Sequence, residues 1–455
     1  MIKLIPEEIL KIYREMQEAN FEAYLVGGCV RNMLLKKPIK DWDMTTNATP
    51  EELLKIFKDG FYDNKYGTVG LPIDISGQKQ VIEITTFRTE HGYSDRRHPA
   101  EISWGKSIEE DLARRDFTIN AIALKLTANG QQLTTNLIDP YDGQKDIANK
   151  LIRAVRNPKE RFKEDALRLL RAVRIATELF FIIEEDTWTE IISDAPLITN
   201  VSKERIRIEL LRILESEYAH EGIMLLKNAN LLDYILPELL TGIGISQKRP
   251  GRHHTDDVFT HNILSLKFCP SKDPIVRFAA LIHDVGKPKA MSKDKDNLVI
   301  FHNHEVTGAK IAAEICERLK FSKIDKERVV NLIRWHMFGV NENQTDNAIR
   351  RFIRKIGVEN VKDMMDIRIA DRLGSNRPAD SWRLKLFKGK IEEQLKPAKF
   401  SINDLAIDGH DIMKELNMKP GPKIGEILQK LFEEVDRNLA KNNKEYLLKR
   451  IKELD

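Results

Sequence analysis

The stretch AYLVGGCVRNMLLKKPIKDWDMTT, residues 23–46, predicts the fold of the first part of this chain. It opens with a short apolar run that ends in Gly27 and Gly28, which is typical of a strand followed by a tight turn. Residues 6–19 carry apolar side chains at helical spacing. Further strand-like runs lie at residues 41–46, 66–73, 80–88 and 116–126. We therefore predict a small α/β head, a mixed sheet with helices, over residues 1–150.

The sequence after residue 150 has no comparable strand pattern. Apolar residues recur at i, i+3 and i+4 in segments such as 159–179 and 304–320, which is the pattern of amphipathic helices. Gly and Pro cluster at 241–257 and 373–380, so we expect the chain to break there. The predicted multidomain fold continues as an all-α region with a neck (151–250), a body (251–378) and a tail (379–455).

The composition is that of a folded protein. The chain has 455 residues, of which 42% are hydrophobic, so a disordered or fibrous chain is excluded. Its 74 Lys and Arg against 70 Asp and Glu give a net charge of only +4, so a nucleic-acid surface has to be local. Three separated cysteines argue against a disulfide framework, and no apolar run approaches the roughly 20 residues of a membrane span. We expect a cytoplasmic protein.

Two aspartates behind the Gly-Gly turn predict a metal site. Asp41 and Asp43 are two residues apart, so in an extended segment they project from the same face. Adjacent carboxylates repel each other unless a cation lies between them, and oxygen ligands favour Mg²⁺ or Mn²⁺. Two such ions would activate an attacking hydroxyl and neutralise a nucleoside triphosphate. Glu83, in the run 80–88, is the candidate third carboxylate.

The Gly-Gly turn itself predicts phosphate binding. Because glycine has no Cβ, Gly28 allows the backbone to approach a phosphate closely, and Arg31 adds positive charge one helical turn later. Taken alone, Asp-x-Asp at 41–43 is better explained as a solvated turn. Its combination with the Gly-Gly turn and Arg31 within fifteen residues favours the functional interpretation.

Several segments, taken in order, resemble the motifs of one family. They are GGCVR (27–31), DWD (41–43), TTFR (85–88), RRDFTINAIAL (114–124), DPYDG (139–143) and EDALRLLRAVR (164–174). Over about the first 230 residues, the chain resembles the class II tRNA nucleotidyltransferases, the CCA-adding enzymes, and the related bacterial poly(A) polymerases. The resemblance implies that C, C and A are added to the tRNA 3′ end from CTP and ATP, without a nucleic-acid template, and that pyrophosphate leaves. A CC-adding, A-adding or poly(A)-adding enzyme remains an alternative.

The resemblance also implies roles for single residues. It assigns the aspartate pair to the catalytic Mg²⁺ ions and the Gly-Gly turn with its arginine to the nucleotide phosphates. Arg115 would bind nucleotide phosphate or sugar, while Asp116 and Asn120 would organise the site around it. Residues 88–97 match a flexible loop that helps the site change from C to A addition. One departure is Asn32, where the family usually has Asp; it removes no metal ligand.

The motif at 164–174 predicts nucleotide selection. Asp165, Arg168, Arg171 and Arg174 are spaced by three, which on a helix places them along one slowly winding face. Asp165 accepts hydrogen bonds and Arg168 donates them, so the pair can match a base edge. The resemblance implies this use, with the other two arginines binding phosphate or supporting the structure; the alternative is a solvated face with ion pairs. From Arg153 to Arg174, eight basic residues stand against three acidic ones, which predicts a local RNA-binding patch.

A second set of metal-ligand residue types lies in the predicted helical body. Imidazoles and carboxylates bind divalent transition metals, and an adjacent His-Asp pair can share an ion with residues of other helices. The segments HNILSL, LIHDVGKP, FHNHEVTGA and RWHM resemble the HD phosphohydrolase domain. That resemblance assigns a first metal, Ni²⁺, Mn²⁺ or a similar ion, to His261, His283, Asp284 and Asp371. It gives a second metal or the substrate phosphate to His304 and His336, and phosphate to Lys287.

Three hypotheses remain open at this point. The first is CCA addition by the head, with an HD domain that removes phosphate from 2′,3′-cyclic or 2′- and 3′-phosphorylated RNA ends. The second makes the HD domain the working enzyme and the head an RNA-binding module. The third is a binding protein in which both clusters are relics. Residues 404–435 resemble the family's carboxy-terminal segment, which implies that they lie near the tRNA body.

Overall fold

The head is built on a seven-stranded mixed sheet, as predicted. The computed structural model describes residues 1–64, 67–75, 77–93, 99–105, 107–129, 132–247, 257–395, 401–438 and 441–454. The strands of the head are β1 (Ala23–Val26), β2 (Asp43–Thr46), β3 (Phe61–Asn64), β4 (Thr68–Ile75), β5 (Gln78–Thr86), β6 (Arg88–Tyr93), β7 (Pro99–Trp104), β8 (Ala123–Asn129) and β9 (Gln132–Ile138). Their order is β3-β4-β5-β2-β1-β8-β9, while β6 and β7 form a separate ribbon. β2 and β5 are parallel, and the other neighbours in the large sheet are antiparallel.

Helices cover the sheet and carry much of the head's core. They are α1 (Glu7–Glu18), α2 (Gly28–Leu34), α3 (Pro50–Ile56), α4 (Ile108–Ala113) and α5 (Gly143–Ala148). α1 buries Ile9, Tyr13 and Met16 on one face, which is the periodicity that predicted it. α3 begins with a capping box, in which Thr49 and Glu52 each bond the other's backbone N–H. These contacts fix the helices on the sheet, and the β1-to-α2 turn then lies beside β2.

The neck is helical, with one short sheet. Its helices are α6 (Pro158–Glu164), α7 (Leu167–Leu179), α8 (Glu185–Asp194), α9 (Lys203–Glu215), α10 (Ala219–Asn228), α11 (Leu232–Ile235) and α12 (Pro237–Leu240). Two strands that the sequence pattern did not predict, β10 (Leu151–Ile152) and β11 (Ile182–Ile183), pair in parallel. They are only two residues long, and such a length carries no periodicity that a sequence pattern could reveal.

The body and the tail continue the helical architecture. The remaining helices are α13 (Val258–Lys267), α14 (Pro274–Ile282), α15 (Lys287–Ala290), α16 (His304–Arg318), α17 (Lys323–Trp335), α18 (Asp346–Ile356), α19 (Val361–Gly374), α20 (Trp382–Leu395), α21 (Gly409–Leu416), α22 (Pro422–Arg437) and α23 (Lys444–Leu454). A small hairpin joins β12 (Met291–Lys293) to β13 (Val299–Phe301). One apolar core runs from the head to α20, and a separate core holds the end of the tail together. Within the described residues, no helix combines the length and apolar character needed to cross a membrane.

Two local predictions need correction. The run 116–126 is not one strand, because Thr118–Asn120 form a 3₁₀ turn and β8 begins only at Ala123. The segment 159–179 is not one helix, because α6 ends before Asp165, which has extended dihedral angles (φ −142°, ψ 104°). The Asp165 carboxylate accepts the backbone N–H of Leu167 at 3.0 Å. Aspartate favours such local bonds over a helix interior, so the apolar period continues across a real break.

Candidate functional site

The turn between β1 and α2 brings backbone against two charged side chains. Gly27 has φ +72°, in the left-handed region that favours glycine. A Cβ on Gly27 would lie 3.1 Å from a guanidinium nitrogen of Arg115 and 3.3 Å from a carboxylate oxygen of Asp43. Glycine therefore lets the turn, Asp43 and Arg115 meet in one place, and Gly28 opens α2 beside them.

The sheet then brings the predicted carboxylates together. Asp43 is paired in register with Glu83 across the parallel strands β2 and β5, and Asp41 is exposed just before β2. Burial raises the pKa of Asp43 above its ordinary value, the Arg115 guanidinium opposes that change, and the Asp41 carboxylate adds to it. A carboxylate whose pKa is raised by burial is stabilised in its charged form by a nearby cation. Asp41, Asp43 and Glu83 therefore fit a divalent metal that prefers oxygen ligands.

A cleft of about 840 Å³ lies over these carboxylates. Eight of the predicted site residues line it, namely Gly28, Arg31, Asp41, Asp43, Glu83, Asn120, Arg171 and Arg174. Eleven further lining residues were not predicted as site residues, and they include Glu178, Arg212, Glu215 and Ser216. The last three lie at the end of α9, a helix whose sequence carries no motif. Only its packing against α7 identifies that helix as part of this wall.

A hydrogen-bonded chain fixes the basic side of the cleft. Arg31 donates to Asn120 at 2.7 Å, Asn120 donates to Asp116 at 3.2 Å, and Arg171 donates twice to Asp116, at 2.6 and 2.8 Å. Burial alone would raise the pKa of Asp116. The ion pair with Arg171 and the hydrogen bond from Asn120 outweigh burial and hold that pKa well below its ordinary value. Asp116 is therefore an ionised, buried anchor for groups that face the cleft.

Asn32 takes part in the same arrangement. Its side-chain oxygen accepts hydrogen bonds from Arg31 at 3.0 and 3.2 Å, as an aspartate in that position would. Its amide nitrogen also donates to the carbonyl oxygen of Pro38 at 3.0 Å, which an ionised aspartate would not do. The departure from the family motif thus keeps the contact with Arg31 and adds an anchor for the segment that leads to Asp41.

The prediction that Asp165 shares a helix with Arg168, Arg171 and Arg174 is wrong, whereas the three arginines do lie on one helix, α7. Asp165 precedes α7 and forms an ion pair with Arg205 at 2.7 Å. Arg168 binds Glu164 at 2.7 Å and two backbone carbonyl oxygens at 3.0 Å. The described residues that line the cleft include Arg171 and Arg174 but neither Asp165 nor Arg168. Both partners of the proposed base-reading pair are engaged elsewhere.

Much of the predicted basic patch is neutralised. Arg161 and Arg168 pair with Glu164, and Arg174 pairs with Glu178 and Glu209. Most of these acids lie outside the segment in which the sequence count was made, so the count overstated the local positive charge. Arg156, Lys159 and Lys163 remain exposed. The side chains of residues 88–97, like the unassigned His253 and His254, lie outside the part of the chain that is described.

The second predicted cluster is assembled around Asp284. Helices α13, α14, α16, α17 and α19 bring together His261, His283, Asp284, His304, His336 and Asp371. One carboxylate oxygen of Asp284 lies 3.3 Å from Nε2 of both His261 and His283. The other oxygen lies 3.3 Å from Nε2 of His304 and 3.6 Å from Nε2 of His336. Asp284 therefore lies between two sets of donors, His261 with His283 on one side and His304 with His336 on the other. Asp371 joins the first set, at 3.4 Å from Nε2 of His261.

The ring orientations in this cluster fit metal ligands. Nδ1 of His283, His304 and His336 each faces a backbone carbonyl oxygen three residues earlier, at 2.9, 2.8 and 2.7 Å. A carbonyl oxygen only accepts hydrogen bonds, so Nδ1 carries a proton, and in the neutral form of each ring the Nε2 lone pair faces Asp284. Among the described residues, Nε2 of His304 and of His336 is buried without a hydrogen-bond partner. Cations would satisfy these lone pairs and the carboxylate together.

The pKa values of the histidines shift in different directions. Burial lowers the pKa of His336, which keeps that ring in the neutral form that binds metals. At His304 and His261 burial is outweighed by the neighbouring carboxylates, which raise the pKa of His304 and raise that of His261 to about 9. Burial alone would raise the pKa of Asp284, but His283 and Lys287 hold it well below its ordinary value. Lys287 Nζ lies 2.5 Å from Asp284 and 2.5 Å from Gln247. The donor set can therefore hold divalent transition metals, with a lysine beside them.

A cleft of about 450 Å³ opens over this cluster and is strongly basic. Lys287, Arg368, Arg372 and Arg377 line it together with His304, His336 and Asp371. Burial lowers the pKa of Arg372, and the guanidinium groups of Arg368 and Arg377 lower it further, so the three arginines lie close to one another. A site with this charge suits an anionic ester.

Three family models match successive parts of the chain. Residues 23–153 match the poly A polymerase head domain, and residues 180–242 match a probable RNA and SrmB-binding site of polymerase A. Residues 296–451 match the putative domain 2 of tRNA nucleotidyltransferase. Together these matches extend over most of the head, much of the neck, the body from residue 296 onward, and most of the tail.

Relatives and solved structures agree with these matches. The CCA-adding enzyme of Ligilactobacillus salivarius is 32% identical over 465 residues, with 100% of this chain and 98% of the relative covered. The CCA-adding enzyme of Enterococcus faecalis is 46% identical over 209 residues, which cover 46% of this chain and 49% of the relative. The crystal structure of the Bacillus stearothermophilus CCA-adding enzyme in complex with CTP is similar with a TM-score of 0.70 and 26% identity, covering 98% of this chain and 96% of that one. The chain belongs to the family of CCA-adding enzymes, the class II tRNA nucleotidyltransferases.

Proposed function

We propose that this chain adds C, C and A to the 3′ end of tRNA, using CTP and ATP and no nucleic-acid template. The observation that carries the proposal is the single cleft in which Asp41, Asp43 and Glu83 face the chain of hydrogen bonds from Arg31 to Arg171. Membership of the family supports it, as do relatives named CCA-adding enzymes and a similar structure that binds CTP.

In this proposal Asp41, Asp43 and Glu83 hold Mg²⁺, which when bound lowers the pKa of the attacking hydroxyl and neutralises the triphosphate. Gly28 and Arg31 bind the nucleotide phosphates at the start of α2. Arg115, held by Asp111 at 3.0 Å, binds phosphate or sugar beside Asp43. The tRNA 3′ oxygen bonds to the α-phosphorus while the bond from that phosphorus to the bridging oxygen breaks. The hydroxyl proton passes to water, and pyrophosphate leaves.

Base selection by Asp165 and Arg168 requires a local rearrangement. Both residues are committed to ion pairs with Arg205 and Glu164, so a base edge has to replace these partners. Arg171 and Arg174 differ in that they already line the cleft, where each is held by acidic partners, Asp116 for Arg171 and Glu178 and Glu209 for Arg174. We propose that selection between CTP and ATP includes this exchange of partners.

The test is nucleotide addition to tRNAs that end before the first C, after CC or after CCA. Each tRNA is incubated with Mg²⁺ and one or more nucleoside triphosphates, and the products are sized on a gel. We expect C, C and then A, with no extension beyond CCA and no use of GTP or UTP. Addition of C only, of A only, or of a long A tail would assign the chain to another activity of the family. No addition to any of these tRNAs would overturn the proposal.

A second activity is supported by the cluster around Asp284. We propose that the body is an HD phosphohydrolase that removes phosphate from 2′,3′-cyclic or 2′- and 3′-phosphorylated RNA ends. The observation that carries it is the pair of buried Nε2 atoms of His304 and His336, which face the Asp284 carboxylate and have no hydrogen-bond partner within the described part of the chain. A bound transition metal such as Ni²⁺ or Mn²⁺ would supply an activated water and polarise the ester. Lys287 and the arginines of the cleft would bind the phosphate.

The hydrolytic activity is tested with short RNAs that carry each type of phosphorylated end. Release of phosphate, or opening of the cyclic ester, is measured after chelator treatment and after addition of Mn²⁺ or Ni²⁺. We expect activity that depends on the added metal and is lost in Asp284→Asn. Equal activity in wild type and Asp284→Asn would assign the hydrolysis to another part of the chain or to a contaminant. No hydrolysis with any metal would leave the body as a scaffold for the head.

A further inference from the structure

A second groove of the body shares one lining residue, Met337, with the basic cleft. Met337 follows His336 directly in the sequence and is 55% exposed. The groove has a volume of about 170 Å³. Its apolar and basic lining residues are Arg334, Trp335, Met337, Phe338, Phe352 and Lys355. A ligand that reaches the metal cluster can therefore extend past Met337 into an aromatic surface.

The chemistry of the groove matches a nucleotide. Trp335, Phe338 and Phe352 supply flat apolar surface of the kind on which bases stack. Lys355 Nζ lies 3.8 Å, and the Arg334 guanidinium 4.1 Å, from the centre of the Trp335 ring. Glu305 also lines the groove and pairs with Arg334 at 3.7 Å. Both cations lie over the Trp335 ring, so the groove combines aromatic surface with positive charge, as sites that bind single-stranded nucleic acid do.

The arginines of the metal cleft lie between this groove and the ligands. Arg368 is placed over the Phe338 ring, 5.3 Å from its centre, and lies 3.7 Å from Asp371. Arg372 donates to the carbonyl oxygen of Pro378 at 2.9 Å. That contact with a neutral carbonyl leaves the charge of Arg372 available to an anion. A phosphodiester next to the reacting phosphate would lie against these guanidinium groups.

We propose that the groove past Met337 binds the nucleotide next to the reacting phosphate, so that the body acts on the end of an RNA strand rather than on a free nucleotide. The inference rests on the phosphohydrolase activity proposed above. The base of the neighbouring nucleotide packs among Trp335, Met337 and Phe352, and its phosphate lies against Arg368 and Arg372.

The test compares two substrates on the full chain loaded with Mn²⁺. One is cytidine 3′-monophosphate, and the other is a five-nucleotide RNA with a 3′-phosphate. We expect kcat/KM to be at least about tenfold higher for the RNA, since stacking of one base is worth that much. Lys355→Glu and Lys355→Gln change the charge of the groove on a helix that carries none of the proposed metal ligands. Lys355→Glu should reduce kcat/KM for the RNA about tenfold, Lys355→Gln should reduce it less, and each should change that for the mononucleotide less than about twofold.

Ile324→Glu is the matched control, because Ile324 is 78% exposed and lies at the other end of the helix that precedes Met337. It should change neither rate. Equal rates of the wild type on the two substrates would overturn the inference, and so would equal losses on both substrates in both groove variants. Absence of hydrolysis of either substrate by the wild type is a different result, because it contradicts the phosphohydrolase activity itself.

Discussion

The guanidinium group of Arg277 donates a hydrogen bond to the carbonyl oxygen of Ser216 over 2.6 Å. Arg277 lies on α14, the helix that leads into His283 and Asp284, whereas Ser216 follows α9 and lines the cleft of the head. A second bond from Arg277 reaches the carbonyl oxygen of Leu214 at 2.8 Å. The body therefore holds the end of the helix that forms one wall of the nucleotide cleft.

Arg277→Met should weaken nucleotide addition although it touches neither proposed metal site. Loss of the charged donor leaves carbonyl oxygens at the end of α9 without a partner, at a cost of about 1–3 kcal/mol. The wall that carries Arg212 and Glu215 then becomes less ordered. We expect KM for CTP and ATP to rise severalfold with a smaller change in kcat, measured with saturating tRNA.

Arg318→Met is the control for a general loss of stability. Arg318 also holds a helix end, by bonds to the carbonyl oxygen of Ile235 at 2.8 Å and to Glu238 at 2.7 Å, but it does not line the cleft. Thermal unfolding should show a similar loss for both variants, whereas only Arg277→Met should raise KM. A similar rise in Arg318→Met would show that the effect is one of stability alone.

Asp43→Asn should abolish nucleotide addition and leave the hydrolytic activity of the body unchanged. Asp43 is the most buried of the three head carboxylates. An amide at this position removes the negative charge that would hold a metal, and water has less access there than at the other two carboxylates to take over as a ligand. We expect a loss of at least about 10³-fold in kcat. Asp59→Asn, an exposed substitution in the same domain, should have no effect. Parallel loss of both activities would contradict two independent sites.

Several of the candidate metal ligands could be grouped from the sequence because they lie close together in it. Asp41 and Asp43 are two residues apart, so they share a face in an extended segment. His283 and Asp284 are consecutive residues. The pairing of Asp43 with Glu83 was not predictable, because it requires β5 to lie beside β2 in a particular register. A one-residue shift would have turned Glu83 to the other face.

The basic residues show where sequence reasoning fails. Arg171 binds Asp116, 55 residues earlier, and Arg174 binds Glu209, on α9. The sequence displays the arginines as a patch because their partners come from distant segments and only tertiary packing reveals them. The prediction that Asp165 lies within a helix fails for the opposite reason, because the decisive contact is local. The Asp165 carboxylate accepts the backbone N–H of Leu167, and α6 ends before Asp165 although the apolar period of the sequence continues.

Replacement of Arg171 should make nucleotide addition sensitive to acid. Arg171 holds the pKa of Asp116 well below its ordinary value, so in the wild type we expect this carboxylate to stay ionised between pH 8 and pH 5. In Arg171→Met, burial is opposed mainly by Asn120, and the pKa of Asp116 rises above the ordinary value of about 4. Asp116 then takes up a proton as the pH falls, and its hydrogen bonds to the cleft are lost.

The measurement is the rate of addition between pH 8 and pH 5. We expect the rate to fall at higher pH in Arg171→Met than in the wild type, with Arg171→Lys between them because it keeps the charge. The free energy of unfolding should change in the same direction. A carboxylate whose pKa is lower in the folded than in the unfolded state stabilises the protein at pH values above the unfolded-state pKa. This stabilisation is lost as the pH falls through the folded-state pKa. Identical pH profiles in all three proteins would show that Asp116 does not depend on Arg171.

The cluster around Asp284 should bind two transition-metal ions per chain, because its two carboxylate oxygens face different histidines. The count is made by titrating chelator-treated protein with Mn²⁺ in the Asp43→Asn background, which removes the head site. We expect two ions in this background and one in the double variant with His336→Gln, since Nε2 of His336 belongs to only one of the two donor sets. His410→Gln, at an exposed histidine, should leave the count at two.

Bound ions should also stabilise the fold. When the free Mn²⁺ concentration is 100 times the dissociation constant of a site, the ion in that site should add about 2.7 kcal/mol to the free energy of unfolding, which is measured as a rise in Tm. A single ion that His336→Gln does not displace would mean that His304 and His336 do not bind metal.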